Sequence, residues 1–295
     1  MNRLPARPPM AKRKHPEKPG DIRIVVTCEH ASNAVPAKLR QRLAIPPSLL
    51  NTHRAWDPGT LELARAIAKA TKSYPVIAGK MTRLVVDLNR SPDNPDVFSK
   101  WSMTKLSPAE RDLLIKKFHQ PFWQQTRKRI EDICGHGKHH IFHVSVHSFT
   151  PVLRGQRRTV DIGILFDPAR PRESELSQQW IQVLQKRAMT DGLRGIRICA
   201  NEPYLGISDA HTTALRRKLN PNWYSGVEVE VNQKIVRQKN RRWDSIIRLI
   251  CESLVTLLET QGANLSENSK AAPGTRPVRR RITRRVSSRR AQGRR

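Results

Sequence analysis

Short runs rich in β-branched residues alternate along the chain with stretches whose apolar positions recur every three to four residues. The first run, 22–28 (IRIVVTC), reads as a strand and stops at the polar cluster Glu29-His30-Ala31-Ser32-Asn33. In 58–70, Leu61, Leu63, Ala64, Ile67 and Ala68 fall at helical spacing behind Asp57-Pro58, a capping acid followed by a first-turn proline. Segments 75–78 and 84–88 (LVVDL) read as strands. Residues 107–133 predict one long amphipathic helix, started by Ser107-Pro108 with Glu110 and burying Leu113, Leu114, Phe118, Phe122 and Ile130. After a loop at 134–140, strands are expected at 141–146, 160–166, 195–199 and 227–231, and helices at 175–190 and 243–260. Strands alternating with helices indicate a largely parallel sheet covered on both faces. Active sites in such folds form where strands end in loops.

Length and charge refine this picture. A chain of 295 residues, 37% hydrophobic, can bury one sizeable core. The expected organisation is a catalytic domain over 21–263 between a basic disordered segment, 1–20, and an Arg-rich disordered tail, 264–295. No apolar run reaches the 18 residues of a membrane span, and the basic N-terminus lacks the apolar stretch of a secretory signal. Cys28, Cys134, Cys199 and Cys251 are scattered without a CxxC pair, which fits a reducing, cytoplasmic setting. Of the net charge of +30, the last 26 residues hold +11 and the first 20 hold +5, leaving +14 on the body. The tail suits nonspecific polyanion binding, and the basic body suits steering of an anionic substrate.

Chemically capable residues gather at the expected strand ends. His30 follows the first strand and His147 ends the 141–146 strand, so the two can meet around a metal ion. A carboxylate, Glu29 or Asp57, would complete three protein ligands and leave one position open. The cluster HGKHH at 136–140 is expected in a surface loop. Asn89-Arg90 can clamp a substrate carboxylate, and Arg83, Arg154, Arg157 and Arg158 add positive charge to the rim. In VEVEVN, alternation places Glu228, Glu230 and Asn232 on one face of a strand. That face holds either a general base or the exposed side of an edge strand.

The strings CEHASNAVP, WDPGT, TRLVVDLNRSPD, HVSVHSFTP, RTVDIGILFDPARP, NEPYLG and VEVEVNQ occur in this order. Together they resemble the N-formylglutamate amidohydrolase family, which is related to zinc carboxypeptidases and aspartoacylases. The resemblance implies a phosphorylase/hydrolase-like α/β fold, a three-layer α/β/α sandwich around a mostly parallel mixed sheet. It implies a Zn2+ cofactor on His30 and His147, with Glu230 activating water and Arg83 polarising the scissile carbonyl. Asn89, Arg90, Arg158 and Tyr204 are the implied substrate contacts. The His-x-x-Glu pair of zinc carboxypeptidases is absent, because Asn33 stands three residues after His30. The implied activity is hydrolysis of a small anionic N-acyl amino acid, N-formylglutamate above all. Two competing readings are a polyanion- or nucleic-acid-binding protein that uses its tail, and a metal hydrolase of another substrate such as a cell-wall fragment. Against the first, no nucleic-acid-binding motif occurs and only 5% of residues are aromatic.

Overall fold

The computed structural model describes residues 20–236 and 241–269. Strand β1 (Gly20–Cys28) leads through α1 (Ala37–Leu43) and α2 (Pro47–Leu50) to α3 (Thr60–Ala70) and the short strand β2 (Ile77–Ala78). A 3-10 turn (Pro95–Val97), α4 (Lys100–Lys105), α5 (Pro108–Leu114), a π turn (Ile115–His119) and α6 (Gln120–Cys134) precede β3 (His139–Phe149). The hairpin of β4 (Val152–Leu153) and β5 (Gln156–Arg157) is followed by β6 (Ile162–Leu165), α7 (Pro171–Thr190) and β7 (Ile198–Ala200). Helix α8 (His211–Lys218), β8 (Tyr224–Asn232), α9 (Gln233–Val236) and α10 (Arg241–Ser269) complete the order.

Six strands form one sheet in the order β2-β1-β3-β8-β6-β7. The first four run parallel, β6 is antiparallel to β8, and β7 is parallel to β6. This is the mostly parallel mixed α/β sheet expected from the sequence. Strand periodicity sorts the layers. Ile24, Val26, Phe142, Val144, Val227 and Val229 pack against α3, α7 and α10 in the main core. Trp180 of α7 is fully buried there, its indole N–H donating to Ser253 Oγ at 2.9 Å. The alternate residues Val25, Ile141 and Tyr224 meet Ile130 and Cys134 of α6 and Leu215 of α8 on the opposite face. A third apolar cluster, from Val35 to Phe122, supports the loops above the sheet.

That second face turns polar towards the C-terminal ends of the strands. Thr27, His143, Ser145, His147, Glu228 and Glu230 all project there and all are buried. Such groups need internal partners. His143 has them, with the Thr27 hydroxyl and the Tyr224 hydroxyl each 2.9 Å from one of its ring nitrogens. Burial pushes that imidazole down to about 3, so it is neutral.

Several expectations are corrected. Residues 84–88 form turns, not a strand: Val85 and Val86 are buried in the loop-supporting cluster and Asp87 accepts the backbone N–H of Asn89. The predicted long helix contains a π turn in which Gln120 N–H bonds Ile115 O, just before Pro121, whose ring cannot serve a regular helical ladder. Asp57 does not cap α3; Gly59, at φ 80°, occupies that position, with Val236 where a Cβ would stand. The HGKHH segment is not wholly a surface loop, because His139 and His140 open β3 and His140 is buried. Strand β8 is central rather than an edge, which removes the exposed-face reading of Glu228 and Glu230. Helix α10 runs to Ser269, and 1–19, 237–240 and 270–295, which include most of the expected basic terminal segments, lie outside the described residues. No described helix is long and apolar enough to cross a membrane.

Candidate active site

Three chain segments converge where β1 and β3 end. Gly79 donates its N–H to Cys28 O, and a Cβ on Gly79 would lie 2.0 Å from Glu29 O, so only glycine lets the chain pass this close. Asp57 N–H donates to His30 O, and Thr82 and Arg83 both bond Ala55 O. These contacts fix the loop carrying Asp57 against the end of β1.

Asp57 Oδ2 stands 3.3 Å from His30 Nδ1 and 3.2 Å from His147 Nδ1. The three side chains are buried and offer ligand atoms within 4.8 Å of one another. Arg83 pairs with the other Asp57 oxygen. Burial alone would raise the Asp57 carboxyl, but Arg83, His30 and His147 outweigh it and hold the group well below the usual carboxylate range.

The far nitrogens of both histidines are occupied. His30 Nε2 lies 2.6 Å from Asp87 Oδ1. His147 Nε2 lies 2.9 Å from Ser145 Oγ, whose hydroxyl donates to Glu29 Oε2 at 2.6 Å. Because Ser145 spends its proton on Glu29, it accepts from His147 Nε2–H. Likewise Asp87, held ionised chiefly by His30 against the upward pull of burial, takes the Nε2–H of His30. In a neutral imidazole the other nitrogen is then a lone pair. Two Nδ1 atoms thus face one ionised carboxylate, an arrangement that a cation between them balances. Consistent with that demand, the His147 pKa is raised well above its ordinary value; burial opposes this, and Asp57 and Glu29 outweigh it. Two imidazoles and one carboxylate, each backed by a hydrogen-bond partner, fit a divalent ion.

Glu29, expected as an alternative ligand, stands behind His147: its Oε2 is 3.4 Å from Nε2 and its Oε1 is 2.8 Å from His211 Nδ1. Burial would raise this carboxyl, yet hydrogen bonds from His147 and His211 keep it well below the ordinary range. Asn33, at the position of the absent glutamate, turns away and donates to Leu50 O.

Glu230 pairs in register with His147 across β3 and β8. Its Oε2 is buried without a hydrogen-bond partner. Burial, opposed by His147 and helped by Asp57 and Glu228, pushes its carboxyl up to about 8. Glu228 differs because it accepts the Thr212 hydroxyl at 2.8 Å. Asn232 is committed elsewhere, donating to Val160 O.

The remaining candidates lie on two sides. Asn89 Oδ1 accepts the His211 backbone N–H at 2.9 Å, and its NH2 makes no hydrogen bond among the described residues. Arg90 Nη1 donates to Asp209 O at 2.5 Å. On the β6 side, Arg158 donates to the Tyr204 hydroxyl at 2.8 Å and lies 4.7 Å over that ring. Sequence patterning did not single out Asp87, Ser145 or His211. His211 is fully buried, stacked on Trp123 at 5.0 Å, and no motif marks it.

The sequence model of the N-formylglutamate amidohydrolase family matches residues 22–237, which include every residue of this centre. A solved gene product of Agrobacterium tumefaciens is similar at 26% identity over 85% of this chain and 92% of its own, with a TM-score of 0.62. The N-formylglutamate amidohydrolase of Ralstonia eutropha JMP134 shares the fold, at 15% identity over 83% of this chain and 96% of its own, with a TM-score of 0.58. No curated protein sequence matches the chain significantly.

Proposed function

Because the chain belongs to the N-formylglutamate amidohydrolase family, we propose that it hydrolyses the amide bond of an N-acyl acidic amino acid, with N-formylglutamate as the reference substrate. The observation that carries this reading is the convergence of two histidine Nδ1 atoms and the Asp57 carboxylate next to Glu230, whose buried Oε2 has no partner.

His30, Asp57 and His147 would hold the metal, and two nitrogens with one carboxylate and an open position favour zinc. Bound there, zinc supplies Lewis acidity to the carbonyl oxygen and to the attacking water. Arg83 is read as the charge partner of Asp57 rather than as a carbonyl contact, since it already pairs with that carboxylate. Asp87, and Ser145 with Glu29, keep the two rings turned so that their Nδ1 atoms face inward.

Glu230 accepts a proton from the water as its oxygen attacks the carbonyl carbon. It then returns that proton to the amide nitrogen as the C–N bond breaks, giving a carboxylic acid and a free amino acid. Burial raises this carboxyl's affinity for a proton, which suits a group that takes one up and hands it on. The free NH2 of Asn89 and the guanidinium of Arg90 receive the amino-acid carboxylate, with Arg90 oriented by Asp209 O.

The test is a panel of N-formyl, N-acetyl and N-pentanoyl glutamate and aspartate, followed by release of free amino acid. Cleavage of N-acyl glutamates with rejection of their side-chain and α-amides supports the reading. Equal cleavage of acids and amides refutes the carboxylate clamp.

A further inference from the structure

A cavity of about 580 Å³ opens between the β4–β5 hairpin and the Glu202-Pro203 turn. One of its walls, the Glu202 turn, reaches the strand pair that carries Glu230. Gly163 pairs with Glu230 across β6 and β8, and a Cβ on Gly163 would stand 1.9 Å from Glu202 O and 3.5 Å from the Glu230 Cβ. The turn that walls the cavity therefore presses on the strand position next to Glu230.

Arg154, Arg157 and Arg158 line this space with Leu153 and Pro203. None of the three arginines forms an ion pair among the described residues, and Glu202 is the single acid in the lining. Arg158 is held in place by Tyr204, while Arg154 and Gly155, at φ 49° and 79°, make the tight two-residue turn that sets the hairpin. The Asn89–Arg90 pair, held by the His211 N–H and Asp209 O, is not part of this lining. Sheet order runs from β1, which ends before His30, through β3 with His147 and β8 with Glu230, to β6 and the cavity.

We propose that this cavity is the acyl-side subsite and that it takes an acyl chain ending in a carboxylate. The proposal rests on the hydrolase reading above and names the substrate class of that site. A formyl group carries no carbon beyond the carbonyl and leaves such a space filled with water, whereas pockets of this volume enclose whole small molecules. Guanidinium groups without an ion-pair partner among the described residues, beside apolar Leu153 and Pro203, match an aliphatic chain with a terminal carboxylate, which arginine binds through two parallel hydrogen bonds.

The experiment compares N-glutarylglutamate with N-pentanoylglutamate, whose acyl chains have the same carbon count and differ in the terminal carboxylate. The proposal expects kcat/KM at least about tenfold higher for the glutaryl compound, the effect of one charge-assisted hydrogen bond. In the double variant R154A/R157A that ratio collapses towards one. Equal kcat/KM for both compounds, or a ratio that survives the double variant, overturns the proposal. If no N-acyl glutamate is cleaved, the hydrolase reading fails on its own. Calorimetry of N-glutarylglutamate against N-pentanoylglutamate then decides the cavity separately, with equal affinities counting against it.

Discussion

Replacing Glu230 with Gln separates catalysis from folding in a way that a merely structural carboxylate would not. The Glu230 carboxyl sits at about 8 against an ordinary 4.5, mainly through burial. A shift of about 3.5 units corresponds to roughly 5 kcal/mol of added cost for ionising the group in place. Its folded pKa is raised, so its contribution to stability is fully present below about 4.5 and is lost as pH rises through about 8. Gln keeps the shape and cannot ionise. In metal-free protein, E230Q should therefore match wild type in thermal denaturation at pH 5 and exceed it at pH 9. The same variant should lose at least ~10²-fold in kcat for N-formylglutamate, as general-base removal does. Glu228→Gln should cost much less, because Glu228 already accepts the Thr212 hydroxyl. Formate release and denaturation at two pH values read out both effects. An E230Q enzyme within tenfold of wild type, or an E228Q enzyme equally impaired, would refute the assignment.

Other outcomes follow from the same geometry. Asp57→Asn should remove most bound metal, measured by elemental analysis, because it deletes the one carboxylate shared by both histidines; full metal content in a folded D57N protein counts against the ligand set. Ser145→Ala breaks the relay between His147 and Glu29 and should weaken metal affinity about 10–100-fold, whereas Ser145→Thr should restore most of it. His140 is buried and held neutral, its pKa pushed down to about 4 by burial, with Asn222 O accepting from one nitrogen and Ser225 Oγ beside the other. Unfolded His140 protonates near 6.5, so stability should fall as pH drops from about 6.5 to about 4, by roughly 3 kcal/mol from this group. His140→Gln should flatten that part of the stability profile; an unchanged slope contradicts the assignment.

Much of the fold was legible because its signals are local. The valines of β8 and the β-branched run of β1 alternate with residues of the other face, and α3 and α7 repeat at helical spacing. Residues 84–88 misled because a short buried apolar run looks the same in a strand and in a packed loop. That error also hid Asp87, which strand alternation gave no reason to aim at His30. Asp57 read as a helix cap, but the left-handed Gly59 takes that position and frees the carboxylate for the centre. Glu29 adjoins His30 in sequence, and the turn that follows β1 sends their side chains to different neighbours. His211 belongs to the site only through the fold, which lays α8 across the sheet so that its first residue meets Glu29 and Asn89.

The most direct test of the central claim follows amino-acid release from N-formylglutamate by one preparation, first stripped by a chelator and then titrated with Zn2+. The account predicts negligible hydrolysis without metal, and recovery that saturates near one equivalent per chain. Full hydrolysis by the stripped protein, or none with zinc bound, would contradict it.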